Sequence, residues 1–95
     1  MVPVELSTAA AEDLARLRIT HRLPPDAGER VKRSLGSLGR FPRLGTLLRT
    51  SGWEGFRFVL GPWRWMVIVY EHLEEEDRVV VVTIQDGRSS EAATG

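Results

Sequence analysis

Residues 61–88, GPWRWMVIVYEHLEEEDRVVVVTIQDGR, constrain the fold of this chain more than any other stretch. Two runs within it, residues 63–71 and 78–85, are apolar on both of their alternating faces. Strands of that kind need cover on two sides, so both are expected at the centre of a sheet. The acidic run Glu74-Glu75-Glu76-Asp77 lies between them and reverses the chain, making the pair a long hairpin. Gly61-Pro62 turns into the hairpin and Asp86-Gly87-Arg88 turns out of it. Arg64 and Arg88 therefore stand near the mouth of an apolar hairpin. A guanidinium is permanently charged and presents a planar fork suited to phosphate, so it seldom sits beside a core without a reason.

The remaining pattern supplies what covers that hairpin. Residues 2–6 are short and apolar and read as a first strand. Ser7 or Thr8 then caps a helix running to about Arg22. Ala10, Leu14 and Leu17 form its apolar stripe, with Arg16, Arg18 and Arg22 mostly off it. Pro24-Pro25 ends the segment because neither residue donates a backbone hydrogen bond. Asp26 with Glu29 makes a capping-box pattern for a second helix, which runs to about Leu38. Val31, Leu35 and Leu38 face inward on it, Gly39 is placed as a C-cap, and Gly36 weakens it. Leu44, Leu47 and Leu48 fit either a short extended piece or a helical turn. Residues 56–60 alternate, with Phe56, Phe58 and Leu60 on one face and Arg57 and Val59 on the other. The order is β-α-α-β-β-β. This is an α+β fold, an antiparallel sheet with two helices packed on one face and the other face partly open. One domain is expected over residues 1–88, followed by a short polar tail, 89–95, that is expected to fray.

Composition narrows the function classes. With 95 residues and no cysteine, there is room for one core and no means of forming disulfides or thiolate metal sites. The N-terminus lacks the regions of a signal peptide, and no apolar run is long enough to span a bilayer. The expectation is a soluble, cytoplasmic protein with no membrane partner. Net charge is zero, but residues 15–67 carry eleven basic and three acidic side chains, whereas residues 68–95 carry two basic and seven acidic. A basic middle attracts nucleic acid or an acidic protein, although a solvated helix face accounts for the same pattern. His21 and His72 stand alone in the sequence, His72 beside the acidic turn as a loop residue. The acidic turn lacks the glycine and spacing of a cation loop. No metal or cofactor is expected.

The motifs, in this order, resemble the RelE/ParE superfamily of toxins from bacterial toxin–antitoxin modules. Those that match are Gly61-Pro62-Trp63-Arg64, the strand ending Val69-Tyr70-Glu71, the acidic turn, the run Val79-Val80-Val81-Val82-Thr83-Ile84 and the closing Asp86-Gly87-Arg88. Upstream, Phe41-Pro42 followed by Leu44 through Leu48, and then Gly55-Phe56-Arg57, also match. The resemblance implies a toxin neutralised by a cognate antitoxin, with residues 56–60 and the basic flank of the helices as contact surfaces. It further implies basic catalytic residues on the strands, namely Arg57, Arg64 and Arg88. Two departures stand out: Gly55 replaces a second lysine, and residues 89–95 contain neither the tyrosine nor the histidine that ribonuclease members carry there.

Three functions remain open on this evidence. The first is an endoribonuclease that cleaves mRNA on the ribosome and so inhibits translation. Arginine stabilises the phosphorane of RNA transesterification well. It is a poor acid or base, because its pKa exceeds about 12, and alignment of the RNA by the ribosome would have to compensate. The second is a ParE-like toxin that binds and inhibits DNA gyrase without catalysis. The third is a non-toxic interaction protein. A plainer account of Arg57 and Arg64 is a stem covering apolar surface, with the head at a carboxylate such as Glu54 or Glu71. Trp53, Trp63 and Trp65 either stack on bases or pack at the core and its rim.

Overall fold

The computed structural model describes residues 1–88. Its elements in chain order are β1 (Val4–Leu6), α1 (Thr8–Thr20), α2 (Ala27–Ser34), α3 (Gly36–Arg40), β2 (Thr46–Leu47), β3 (Phe56–Leu60), β4 (Met66–Leu73) and β5 (Arg78–Asp86). The strands form one sheet in the order β1-β5-β4-β3-β2, so the apolar hairpin β4–β5 occupies the middle. This is the expected α+β arrangement, with one refinement. The sheet is antiparallel except at one edge, where β1 runs parallel to β5 with Val4 opposite Val79 and Leu6 opposite Val81. The sequence does not announce that pairing, because β1 and β5 are separated by most of the chain. The tail expected over residues 89–95 lies outside the described residues.

The helical stripes bury as their spacing requires. Ala10 and Leu14 from α1, Val31 from α2, and Leu35 and Leu38 beyond it pack on Met66, Ile68, Tyr70, Val79, Val81 and Ile84 of the sheet. Ser7 caps α1, its hydroxyl accepting from the Ala10 N–H at 3.0 Å, while its own N–H donates to the Val81 carbonyl at 2.9 Å. The ladder of β1 thus passes directly into the helix cap. Past the end of β1 the Ile84 N–H would be left without a strand partner. Asp13 on α1 takes that place, its Oδ2 accepting from Ile84 N at 3.1 Å and from the Thr83 hydroxyl at 2.7 Å.

Several local expectations are corrected. The capping box at Asp26 does not form; no backbone N–H reaches that carboxylate, which accepts from Arg30 Nε at 3.0 Å instead. The second helix breaks at Leu35 into α2 and α3. Gly39 is therefore not a C-cap. It is buried inside α3, where its carbonyl accepts from Val2 N at 2.8 Å. A Cβ there would lie 2.9 Å from the Val2 carbonyl oxygen, so the residue must be small for the N-terminal segment to approach. His72 is not in a loop; it is half-buried on β4, and its Nδ1 is buried with no hydrogen-bond partner. Residues 63–65 precede the strand as a turn, closed by Met66 N donating to the Trp63 carbonyl at 2.9 Å.

Tyr70 ties the irregular segment to the sheet. Its side chain is fully buried; its hydroxyl donates to the Pro42 carbonyl and accepts from Gly45 N, each at 2.8 Å. Burial pushes the phenol above its ordinary pKa of 10.0, with the Gly45 N–H and the Arg57 charge acting in the opposite direction.

Three expectations follow for stability. Tyr70→Phe should cost about 1–3 kcal/mol, because it strands a backbone donor and acceptor beneath the segment; thermal unfolding measures this. In the wild type, the contribution of the phenol is present in full below its ordinary pKa and is lost as pH rises through the raised one, so stability should fall on the alkaline side. The two α3 glycines should respond oppositely. Gly36→Ala, with nothing within 4 Å of the new methyl, should stabilise, by about 0.5–1 kcal/mol. Gly39→Ala should destabilise by about 1–3 kcal/mol because the N-terminal segment must move.

Candidate functional site

The open end of the β4–β5 hairpin is shaped by a register shift. Tyr70 of β4 faces Val81 and Val69 faces Thr83, so Val82 has no counterpart across the pair. Before the shift, odd residues Val79 and Val81 point into the core; after it, Ile84 does. Asp86 lies opposite Met66 and follows Ile84 on the helix side. A one-residue offset reverses the facing of everything beyond it. Without it, Asp86 would face away from the helices.

Asp86 meets the end of α1 there. His21, the C-cap residue of α1, places its Nε2 3.0 Å from Asp86 Oδ2. The imidazole lies flat on the Trp65 ring, with centroids 3.9 Å apart and planes 13° from parallel. Trp63 continues the ladder at 6.3 Å, and the Arg30 guanidinium sits 5.8 Å from the Trp63 centroid. Both tryptophans therefore pack at the rim, and the ring of Trp65 holds His21 in place.

Arg88 completes the group. Its Nε lies 3.2 Å and its Nη2 3.3 Å from the Asp86 carboxylate, and its backbone N–H donates to Asp86 Oδ1 at 2.8 Å. Nη2 also approaches His21 Nδ1 at 3.5 Å, and the guanidinium sits 5.8 Å from the Trp65 centroid. Gly87 makes this position reachable. Its N–H donates to the Trp65 carbonyl at 2.6 Å, and a Cβ would fall 2.7 Å from Val67 Cγ2. The Asp86 carboxyl is held below its ordinary range, chiefly by the Arg88 side chain and then by the Arg88 backbone N–H. Partial burial opposes this, and His21 adds a smaller downward pull.

The residues expected to carry function are thus separated in part. Arg64 is at a corner of the 63–66 turn, exposed and with no partner among the described residues, and its neighbour Trp65 bonds Gly87 beside Arg88. Arg57 lies elsewhere. It sits opposite Tyr70, whereas Met66 marks the Arg88 end of β4. Four residues of strand, roughly 13 Å, lie between, with two strand spacings, about 10 Å, across. The Arg57 guanidinium neither reaches Glu54 or Glu71 nor is free. Nη1 donates to the Gly45 carbonyl at 2.8 Å and approaches the Arg43 carbonyl at 3.3 Å, holding the same segment as Tyr70. His21 and Asp86 are the members of the group that sequence reasoning missed. They are far apart in the chain, and His21 has no local motif around it. The one available signal was its position at a helix end, just before Pro24-Pro25.

The arrangement offers a guanidinium paired with a carboxylate, a second, exposed guanidinium on the adjoining turn, and an imidazole fixed by that carboxylate and an aromatic face. Comparison with known proteins agrees with the architecture. The chain is similar to the RelBE2 toxin–antitoxin complex of Mycobacterium tuberculosis, at 25% identity and a TM-score of 0.64, covering 90% of each chain. It is similar in fold to the isolated RelE toxin of E. coli, at 17% identity, TM-score 0.67, 99% of this chain and 93% of that one. The intact E. coli RelBE complex matches at 15% identity and TM-score 0.67, over 94% of this chain and 100% of the other. Among curated proteins the chain has no significant match. The model of the ParE toxin of type II toxin–antitoxin systems matches residues 4–90. The chain belongs to that family of toxins, within the RelE/ParE superfamily.

Proposed function

We propose that this toxin is an endoribonuclease that cleaves mRNA aligned on the ribosome and is held inactive by a cognate antitoxin. The observation that carries this reading is the grouping of Arg88, His21 and Asp86 on the Trp65 ring, with Arg64 on the adjoining turn. RNA transesterification places extra negative charge on phosphorus, and guanidinium groups answer it with fixed positive charge and paired N–H donors. Arg88 keeps Asp86 ionised while its Nη1 is without a partner among the described residues. Arg64, exposed at the turn, takes the neighbouring phosphate in this reading. Arg57 acts on the fold of the 42–45 segment in this reading. The antitoxin is supported by the relatives: two of the matched structures, RelBE2 of M. tuberculosis and intact RelBE of E. coli, are toxin–antitoxin complexes.

A ParE-like action, binding to DNA gyrase without chemistry, is favoured by the family match over residues 4–90 and by one feature of the structure. Two of the three arginines are engaged within the protein, Arg57 with carbonyls and Arg88 with Asp86. Induced expression separates the two, with cleavage of ribosome-bound mRNA mapped by primer extension beside the rates of RNA and DNA synthesis. Arg64→Ala and Arg88→Ala should each lower cleavage on the order of 10²–10³-fold. Arg88→Lys should stay impaired, since a point charge does not reproduce the fork. Growth arrest with intact mRNA and failing DNA synthesis would instead select gyrase inhibition.

A further inference from the structure

We infer that His21 is a catalytic residue, the base that takes the proton from the 2′-hydroxyl of the RNA, with Asp86 as its positioning residue. This rests on the endoribonuclease reading and supplies the proton-transfer group that arginine cannot provide. Three features of the imidazole point to it. Asp86 Oδ2 stands 3.0 Å from Nε2, and a carboxylate only accepts, so Nε2 carries the proton in the neutral ring. Nδ1 then holds the lone pair. Arg88 Nη2, which only donates, approaches that same Nδ1 at 3.5 Å. The lone pair therefore faces the Arg88 guanidinium, and it is released to the 2′-hydroxyl when Arg88 turns that N–H to a phosphate. Stacking on Trp65 fixes the plane of the ring. The side chain is 21% exposed, open enough to be reached and enclosed enough to be held.

The step balances without a cofactor. The 2′-oxygen loses its proton to Nδ1 and attacks phosphorus, and the bond from phosphorus to the 5′-oxygen breaks. The leaving oxygen takes a proton from water, and the hydroxide so formed takes the proton from the imidazolium. The products are a 2′,3′-cyclic phosphate and a 5′-hydroxyl. Among the described residues, Asp86 at the end of β5 and Arg88 just beyond it are the charged groups that face the ring. Arg18 on α1 is directed at the Pro25 carbonyl, and Arg30 on α2 sits over Trp63.

The test is single-turnover cleavage of ribosome-bound mRNA by the full chain as a function of pH, for wild type, His21→Gln and Arg88→Ala. Glutamine keeps a donor for Asp86 and removes the base. His21→Gln should slow cleavage on the order of 10²–10⁴-fold. It should also flatten the rise in rate with pH that a general base gives. Arg88→Ala should be slower throughout while keeping a rising profile. Thermal unfolding of each variant, run alongside, identifies a loss of rate caused by unfolding. His21→Gln that stays folded and cuts with the wild-type rate and pH profile would overturn the assignment while leaving the endoribonuclease reading intact. His21→Gln that slows the reaction but keeps the wild-type profile would reduce His21 to a structural part. Wild type that cuts no ribosome-bound mRNA would overturn both readings together.

Discussion

The unpaired Val82 in the β4–β5 ladder is the constraint on which the polar group at the mouth of the hairpin depends. Strand side chains alternate with period two, so an extra residue swaps the faces for everything that follows. Val79 and Val81 fill the core on one side of the bulge and Ile84 on the other. The same offset carries Asp86 to the helix side, where the C-cap of α1 delivers His21. Asp13 secures the arrangement from α1 by accepting from both Thr83 and Ile84, immediately past the bulge. The hydrophobic core and the polar group at its mouth thus follow from one irregularity in one strand.

Much of the fold was legible because it follows from periodicity. The stripes Ala10-Leu14-Leu17 and Val31-Leu35-Leu38 and the two-faced hairpin strands each depend on neighbours in sequence, and each is realised. What escaped depends on distant contacts. The parallel pairing of β1 with β5, the break at Leu35 and the burial of Gly39 under Val2 are set by where the N-terminal segment docks, which no local pattern encodes. The capping box at Asp26 failed for a local reason, since Arg30 one turn on competes for the same carboxylate.

The arginines of the candidate site were legible in the sequence, and the His21–Asp86 pair was not. Arg64 and Arg88 were marked by their place beside turns at the ends of apolar runs. His21 looked isolated because Asp86 comes near only after the sheet and helix have packed. Arg57 shows the converse. Its place on a strand beside an apolar sheet resembled that of the other two, yet its guanidinium is bonded to the carbonyls of Arg43 and Gly45, in the segment that Tyr70 also holds. Type of residue and neighbourhood in sequence did not separate these cases; the face on which each side chain emerged, and what stood opposite, did.

Function in this account comes from bringing fixed positive charge and a directed lone pair to the same phosphate. The chemistry of the ends it leaves on RNA tests that claim most directly. Messenger RNA isolated from ribosomes after exposure to the purified toxin should carry 2′,3′-cyclic phosphate at the upstream end of each cut and a free 5′-hydroxyl at the downstream end, as attack by the neighbouring 2′-oxygen requires. Cuts bearing a 5′-phosphate, or mRNA that remains whole while growth stops, would contradict it.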